Sequence, residues 1–152
     1  VGVVSSEAQR LLDCTSGVLA LAIQLMSTRN RWSDVAEEMA TFVRDHGFSV
    51  VENFVGHGIG RKMHEDPQVP NFCSPAFRKN HDFELEPGLV IAVEPMVNVG
   101  TKKVRVLADY WTQSTVDGQP SAHFEHTVAI TESGPLVLTA PPAAGETVGT
   151  AA

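Results

Sequence analysis

"VRVLADYWTQSTVDGQPSAHFEHTVAITESGPLVLT", residues 104–139, decides the fold. Short runs rich in Val, Thr, Ile and aromatic residues are separated by turn formers, "VDGQP" at 116–120 and "ESGP" at 132–135. Branched and aromatic side chains suit a pleated, half-buried surface, and clusters of Gly, Pro and Asp reverse the chain between such runs. The pattern predicts an antiparallel meander. Just upstream, "LVIAVEP" (89–95) is a nearly continuous apolar run, which predicts a buried strand. "FSVVENFV" (48–55) is β-rich too, and "PQVPNFCSP" (67–75) reads as a loop held by its prolines.

The first 47 residues follow a different period. Residues 5–26 predict a helix, with Ser6 and Gln9 as a capping-box start and Ala8, Leu11, Leu12, Thr15, Val18, Leu19, Ala22, Ile23 and Met26 as one buried stripe. Ser27 to Arg31 is a polar connector. A second helix is expected from about Asp34, capped by Ser33, with Asp34, Glu37 and Glu38 near its positive end and Val35, Met39, Phe42 and Val43 inward. Gly47 ends it, as a residue that tolerates positive φ. Two helices followed by an antiparallel sheet make an α+β fold, the helices packed on one face of the sheet.

The bulk numbers narrow the function classes. A chain of 152 residues fits one ordinary domain, and 43% hydrophobic residues can build a core. A net charge of -7 points to no nucleic-acid or anionic-membrane partner. No apolar run approaches the roughly 20 residues that span a bilayer, and no signal peptide is read. Cys14 and Cys73 form no metal or redox motif and are expected free and reduced, which favours the cytoplasm. The chain opens on Val1 and runs at once into a helix, as if continuing from something longer. From Pro141 the small, polar tail is expected to be disordered.

Four residues attract attention for chemistry. Glu94 interrupts the apolar strand, where an unpaired carboxylate would be costly or protonated; it could also be a strand-end residue escaping to solvent beside Pro95. In "SAHFEHTVAIT" (121–131), alternation puts Phe124, His126, Val128 and Ile130 on one face and Ser121, His123, Glu125, Thr127 and Ala129 on the other. Glu125 thus sits with His123 and Thr127 on a polar face, which could simply be wet. His57, in "GHGIG" (56–60), lies among glycines that let other groups approach, or that make a flexible turn. His64 precedes Glu65 and Asp66 in what could be a plain loop. Read together, one His and two Glu on separate β elements suit a divalent ion such as Mn²⁺, Fe²⁺, Co²⁺ or Zn²⁺.

"FVGHGIGRKMHEDPQVPN", "LEPGLVIAVEPMV", "DYWTQSTVDGQPSAHFEHTVAIT" and "GPLVLT" together resemble type I methionine aminopeptidases of the M24 peptidases, from about residue 1 to Thr139. Proline-specific dipeptidases share the GHGIG and HExP elements, while "EPMV" and "FEHTVAIT" favour the methionine enzymes. The resemblance implies the second half of a pita-bread fold, with residues 1–140 as the C-terminal half of the catalytic domain and 141–152 as a tail. It implies metal-dependent removal of the N-terminal methionine from nascent polypeptides by the intact protein, with the ribosome a candidate partner. Two divalent ions (Co, Mn, Fe or Zn) would lower the pKa of a bridging water and polarise the carbonyl.

By position, His57 matches a histidine metal ligand, and Glu94 a glutamate ligand that also handles the water proton. Glu125 matches the glutamate bridging both ions. His64 matches the histidine that touches substrate beside the scissile bond, and Met63 and Trp111 fall where the family lines its methionine pocket. Two departures are visible. His123 stands where the family commonly has glutamine, placed to tune the site from behind the ligands. No residues match the two aspartate ligands and further catalytic histidine of the family's first half; Asp13, Asp34 and Asp45 lie in helical segments. The expectation is therefore a half that is inactive alone. The competing readings are a non-catalytic binding module of the same shape and a proline-specific dipeptidase relative.

Overall fold

The computed structural model describes residues 2–141. Apart from Pro141, the tail expected to be disordered lies outside the described residues.

Helix α1 (Ser6–Leu25) is capped by Ser5, whose side chain accepts from the Ala8 amide. The cap is one residue earlier than the Ser6–Gln9 pair suggests; Gln9 instead donates along the helix to Asp13 (2.8 Å). The predicted stripe is the buried one for Leu11, Thr15, Val18, Leu19, Ala22 and Met26, joined by Cys14 and Leu25, while Leu12 and Ile23 pack at its edge. Buried Thr15 donates its hydroxyl to the Leu11 carbonyl (2.7 Å), so its polar atom costs little inside.

Helix α2 (Trp32–Asp45) starts earlier than expected, and Ser33 is not its cap. The cap comes from a remote part of the chain. Asp82 accepts from the Ser33 amide (2.9 Å) and hydroxyl (2.8 Å) and from Arg31 Nε (2.7 Å), satisfying a helix-start donor that no local side chain reaches. Trp32, fully buried, donates its indole N–H to the Pro70 carbonyl (2.8 Å) and stacks on Phe83. Gly47, at φ +81°, closes the helix as predicted: its amide reaches Arg44 O, and the Phe48 amide reaches Val43 O.

The remaining chain forms short strands: β1 (Ser49–Val50), β2 (Gly56–Gly58), β3 (Glu65–Val69), β4 (Val90–Val93), β5 (Met96–Asn98), β6 (Val104–Val106), β7 (Gln113–Thr115), β8 (Ser121–His123), β9 (His126–Thr131) and β10 (Gly134–Val137). Helix α3 (Pro75–Asn80) begins at the last residue of the predicted proline loop, with Ser74 accepting from the Phe77 amide and Pro75 at the first turn. The first three residues of that predicted loop, 67–69, instead belong to strand β3, and Pro67 is tolerated because β3 is a sheet edge. Of the β-rich run 48–55, only Ser49 and Val50 pair as a strand.

All strand pairs are antiparallel, but there is no single meander. Three sheets form: β1-β5-β8, β10-β9-β4-β2-β3, and the separate hairpin β6-β7. At two of its sheet changes the chain crosses with only two residues between strands. It passes from β4 to β5 through Glu94–Pro95 and from β8 to β9 through Phe124–Glu125. The two crossings lie side by side, since Val93 pairs with His126 and Met96 with His123. Helix α1 packs on α2, β5 and β8, and the core between helices and sheets holds Val18, Val35, Met39, Ile91, Val93, Val97 and Val128, each fully buried.

Candidate metal centre

The double crossing explains why two glutamates meet. Pro95 has no N–H for a ladder, so β4 cannot run on in its own sheet. Opposite it, the Phe124 amide bonds to the Pro95 carbonyl (3.4 Å), which fixes the second crossing against the first. Glu94 and Glu125 occupy the two gaps between strands, and both line one open cleft of about 400 Å³.

His57 enters the same cleft from β2, opposite Ala92 of β4. The glycines beside it are required by close approach rather than by flexibility. A Cβ on Gly56 would collide with the Ala92 carbonyl, and one on Gly58 with the Asp66 carbonyl. The His57 Nδ1 lies 3.0 Å from the Gly58 carbonyl, which suits Nδ1–H as donor and leaves the Nε2 lone pair free. That Nε2 lies 3.6 Å from Glu94 Oε1. The His64 ring packs against that of His57, centroids 4.0 Å apart and tilted by 43°. Met63 and His64 complete the rim with Ile59, Lys62 and Thr127.

His123 reaches the same carboxylate from the other side, its Nε2 3.6 Å from Glu94 Oε2. Glu94, His123 and Glu125 offer ligand atoms that all lie within 4.8 Å of one another. Continuous alternation along 121–131 would also have put His123 and Glu125 together, but the strand is broken between them, and both approach Glu94 at the crossing while remaining exposed. Trp111 is not in the cleft lining; it is 86% exposed at the end of the β6–β7 hairpin.

Asn71 was not legible as part of the site. Its side chain is buried, and its Nδ2 donates to the Glu94 carbonyl (3.2 Å), holding the backbone of the first crossing. The signal available was a single Asn after "QVP", which reads as an ordinary turn residue.

The electrostatics fit a cation. Burial pushes the Glu94 carboxyl above its ordinary range, the negative charge of Glu125 pushes it further, and His57 offsets part of this. Two carboxylates facing each other in a partly enclosed cleft, flanked by imidazole nitrogens, form a donor set that a divalent ion neutralises.

Fold and site together define an α+β unit with a candidate carboxylate–imidazole metal centre at a paired sheet crossing. The chain belongs to metallopeptidase family M24, which matches residues 1–132. It is 48% identical over 139 residues to the methionine aminopeptidase of Clostridium perfringens, covering 91% of this chain and 54% of that protein. It is 45% identical to methionine aminopeptidase 1 of Bacillus subtilis, with the same coverage of each chain. The crystal structure of the Thermotoga maritima methionine aminopeptidase superposes with a TM-score of 0.84 at 42% identity, covering 91% of this chain and 54% of that one. The chain thus spans about half the length of the curated relatives it matches. No helix among the described residues is long and apolar enough to cross a membrane.

Proposed function

We propose that this chain is the metal-carrying C-terminal half of a methionine aminopeptidase, acting in the cytoplasm on N-terminal methionines of nascent polypeptides when joined by the family's other half. The observation that carries the reading is the convergence of His57, Glu94 and Glu125 on one cleft, with the His64 ring packed against His57. His57, Glu94 and Glu125 would hold two divalent ions, Co, Mn, Fe or Zn, shared with ligands from the other half. Those ions would supply Lewis-acid activation of water and of the scissile carbonyl.

The chain's own residues take the remaining roles. Glu94, a cleft carboxylate 3.6 Å from His57 Nε2, would accept a proton from the attacking water and return it to the leaving amine. His64 would donate to charge developing on the substrate oxygen. Met63, on the rim, would contact the methionine side chain, and Trp111 would do so once the other half closes the pocket around the hairpin. Alone, the chain lacks part of the ligand set and of the substrate-positioning surface, so its activity should be very low.

The test is methionine release from a Met-Ala-Ser peptide with added Co²⁺ or Mn²⁺, for the 152-residue chain alone and for the chain joined to a relative's first half. Metal-dependent release by the joined protein is expected to fall by at least about 10–100-fold in Glu94→Ala and in His57→Ala. Release by the chain alone at a similar rate would overturn the half-enzyme reading. A folded, metal-loaded joined protein without release would overturn the peptidase reading.

A further inference from the structure

Glu94 has an imidazole at each of its two oxygens. His57 Nε2 lies 3.6 Å from Oε1, and His123 Nε2 lies 3.6 Å from Oε2. Both separations exceed the roughly 2.7–3.2 Å of a hydrogen bond. They are close to the roughly 3.4 Å edge between two ligand atoms of a tetrahedral ion with bonds near 2.05 Å. On the His123 side, Glu125 closes the group, all three ligand atoms lying within 4.8 Å. The 4.8 Å limit exceeds that edge by about 1.4 Å, so the trio closes on one ion by side-chain movement of at most that size.

We propose that His123 is a direct ligand of a divalent ion, forming with Glu94 and Glu125 a nitrogen–carboxylate trio on the opposite side of Glu94 from His57. The inference rests on the reading of this cleft as a metal centre and deepens it. The chain then carries an imidazole ligand at both corners of Glu94, not at one. His123 is placed for this by backbone geometry. It is the last residue of β8, paired with Met96 of β5, so it sits directly across the crossing from the residue that follows Pro95. Its side chain is 45% exposed, against 16% for Glu94, which leaves the outer part of the trio open to an entering ion.

A second imidazole changes selectivity. Carboxylate oxygens alone suit Mn²⁺ and Mg²⁺, while imidazole nitrogen favours Zn²⁺, Co²⁺ and Ni²⁺. His123 should therefore strengthen Zn²⁺ binding more than Mn²⁺ binding.

The experiment is metal titration of the 152-residue chain with ZnCl₂ and with MnCl₂, comparing wild type, His123→Gln and, as a distant control, His81→Gln. Histidine ring ¹⁵N spectra are recorded on the wild type with and without Zn²⁺. His123→Gln is expected to weaken Zn²⁺ by at least about tenfold and Mn²⁺ by a clearly smaller factor, with His81→Gln unchanged. The Nε2 resonance of His123 should move at saturating Zn²⁺. Equal Zn²⁺ affinity in wild type and His123→Gln, or an unmoved His123 ring in wild type, overturns the proposal, and the ring measurement needs no variant to fold. No peptide is used. His123-dependent Zn²⁺ binding without methionine release by the joined protein supports this proposal and removes only the peptidase reading. Metal-dependent release with His123-independent binding does the reverse.

Discussion

The paired crossing and the β6–β7 hairpin are made from the same kind of sequence, short β-rich runs between turn formers, yet they end in opposite environments. Ile91, Val93, Val97 and Val128 around the crossing are fully buried, whereas Val106, Leu107, Tyr110 and Trp111 of the hairpin are exposed, Tyr110 by 91%. The crossing is clamped from several sides: by α1, by strands of two sheets and by the Asn71 side chain. The hairpin is held by its own ladder and by Asp109, which accepts from the Trp111 and Thr112 amides. The lesson concerns placement of chemistry. Glu94 and Glu125 are aimed by a rigid, doubly covered junction, while Trp111 rides on an element whose position depends on whatever covers it.

Core truncation should widen this contrast most. Ile91→Ala removes a fully buried side chain of β4 and is expected to cost about 2–5 kcal/mol. Val106→Ala in the hairpin should stay within about 0.5 kcal/mol. Denaturant unfolding of both variants measures the gap, and equal losses would show that the hairpin is packed as tightly as the crossing. Asn71→Ala comes next, at about 1–3 kcal/mol, because it removes a buried side chain and leaves the part-buried Glu94 carbonyl without that donor. That variant should also weaken Zn²⁺ binding. Weakened stability with unchanged metal affinity would mean that Asn71 supports the fold without aiming Glu94.

Acidification separates the two regions by a different route. Burial would push the Asp82 carboxyl up, but hydrogen bonds from Arg31 and from Ser33, with the Arg31 charge, hold it below its ordinary range. The folded pKa is depressed, so the stabilisation is fully present above the unfolded-state value, about 3.9, and is lost as pH falls through the folded one. Asp82→Asn should therefore be less stable than wild type at pH 6, with the difference shrinking on acidification. Asp109 is also held low, by the Thr112 hydroxyl and by the Trp111 and Thr112 amides, but it is exposed on the hairpin. Asp109→Asn should leave the acid unfolding curve unchanged. A pH-independent Asp82→Asn deficit would contradict the ionised cap of α2.

Part of this was legible in the sequence, and the rest was not for physical reasons. Helix stripes were legible because the 3.6 period is local, and Gly47 because positive φ selects glycine. The start of α2 was not, because its cap, Asp82, lies 49 residues from Ser33. Strand runs were visible, but their assignment to three sheets was not, since apolar alternation carries no information about which sheet a strand joins. Glu94 stood out because a carboxylate in an apolar run demands compensation. His123 was legible as a polar-face neighbour of Glu125 and as a departure from a resemblance, but its nearness to Glu94 needed the crossing to become visible. Asn71 carried no pattern at all.

The smallest expected effect lies at the hairpin tip. Tyr110 is the non-glycine residue with positive φ among the described residues, at +58°. A left-handed conformation costs an L-residue with a Cβ about 1–2 kcal/mol. Its side chain is exposed, so little packing offsets that cost. Glycine at this position would relieve the strain but raise the entropy of the unfolded chain, which takes back roughly 0.4–1 kcal/mol. Tyr110→Gly is therefore expected to be neutral or to stabilise by less than about 1 kcal/mol, with the ladder of β6 and β7 intact by amide hydrogen exchange. Metal affinity should not change, because the tip lies outside the cleft lining. A clear loss of stability would show that the Tyr110 ring packs against the rest of the molecule in solution, and the hairpin would then have to be counted with the rigid part of the fold.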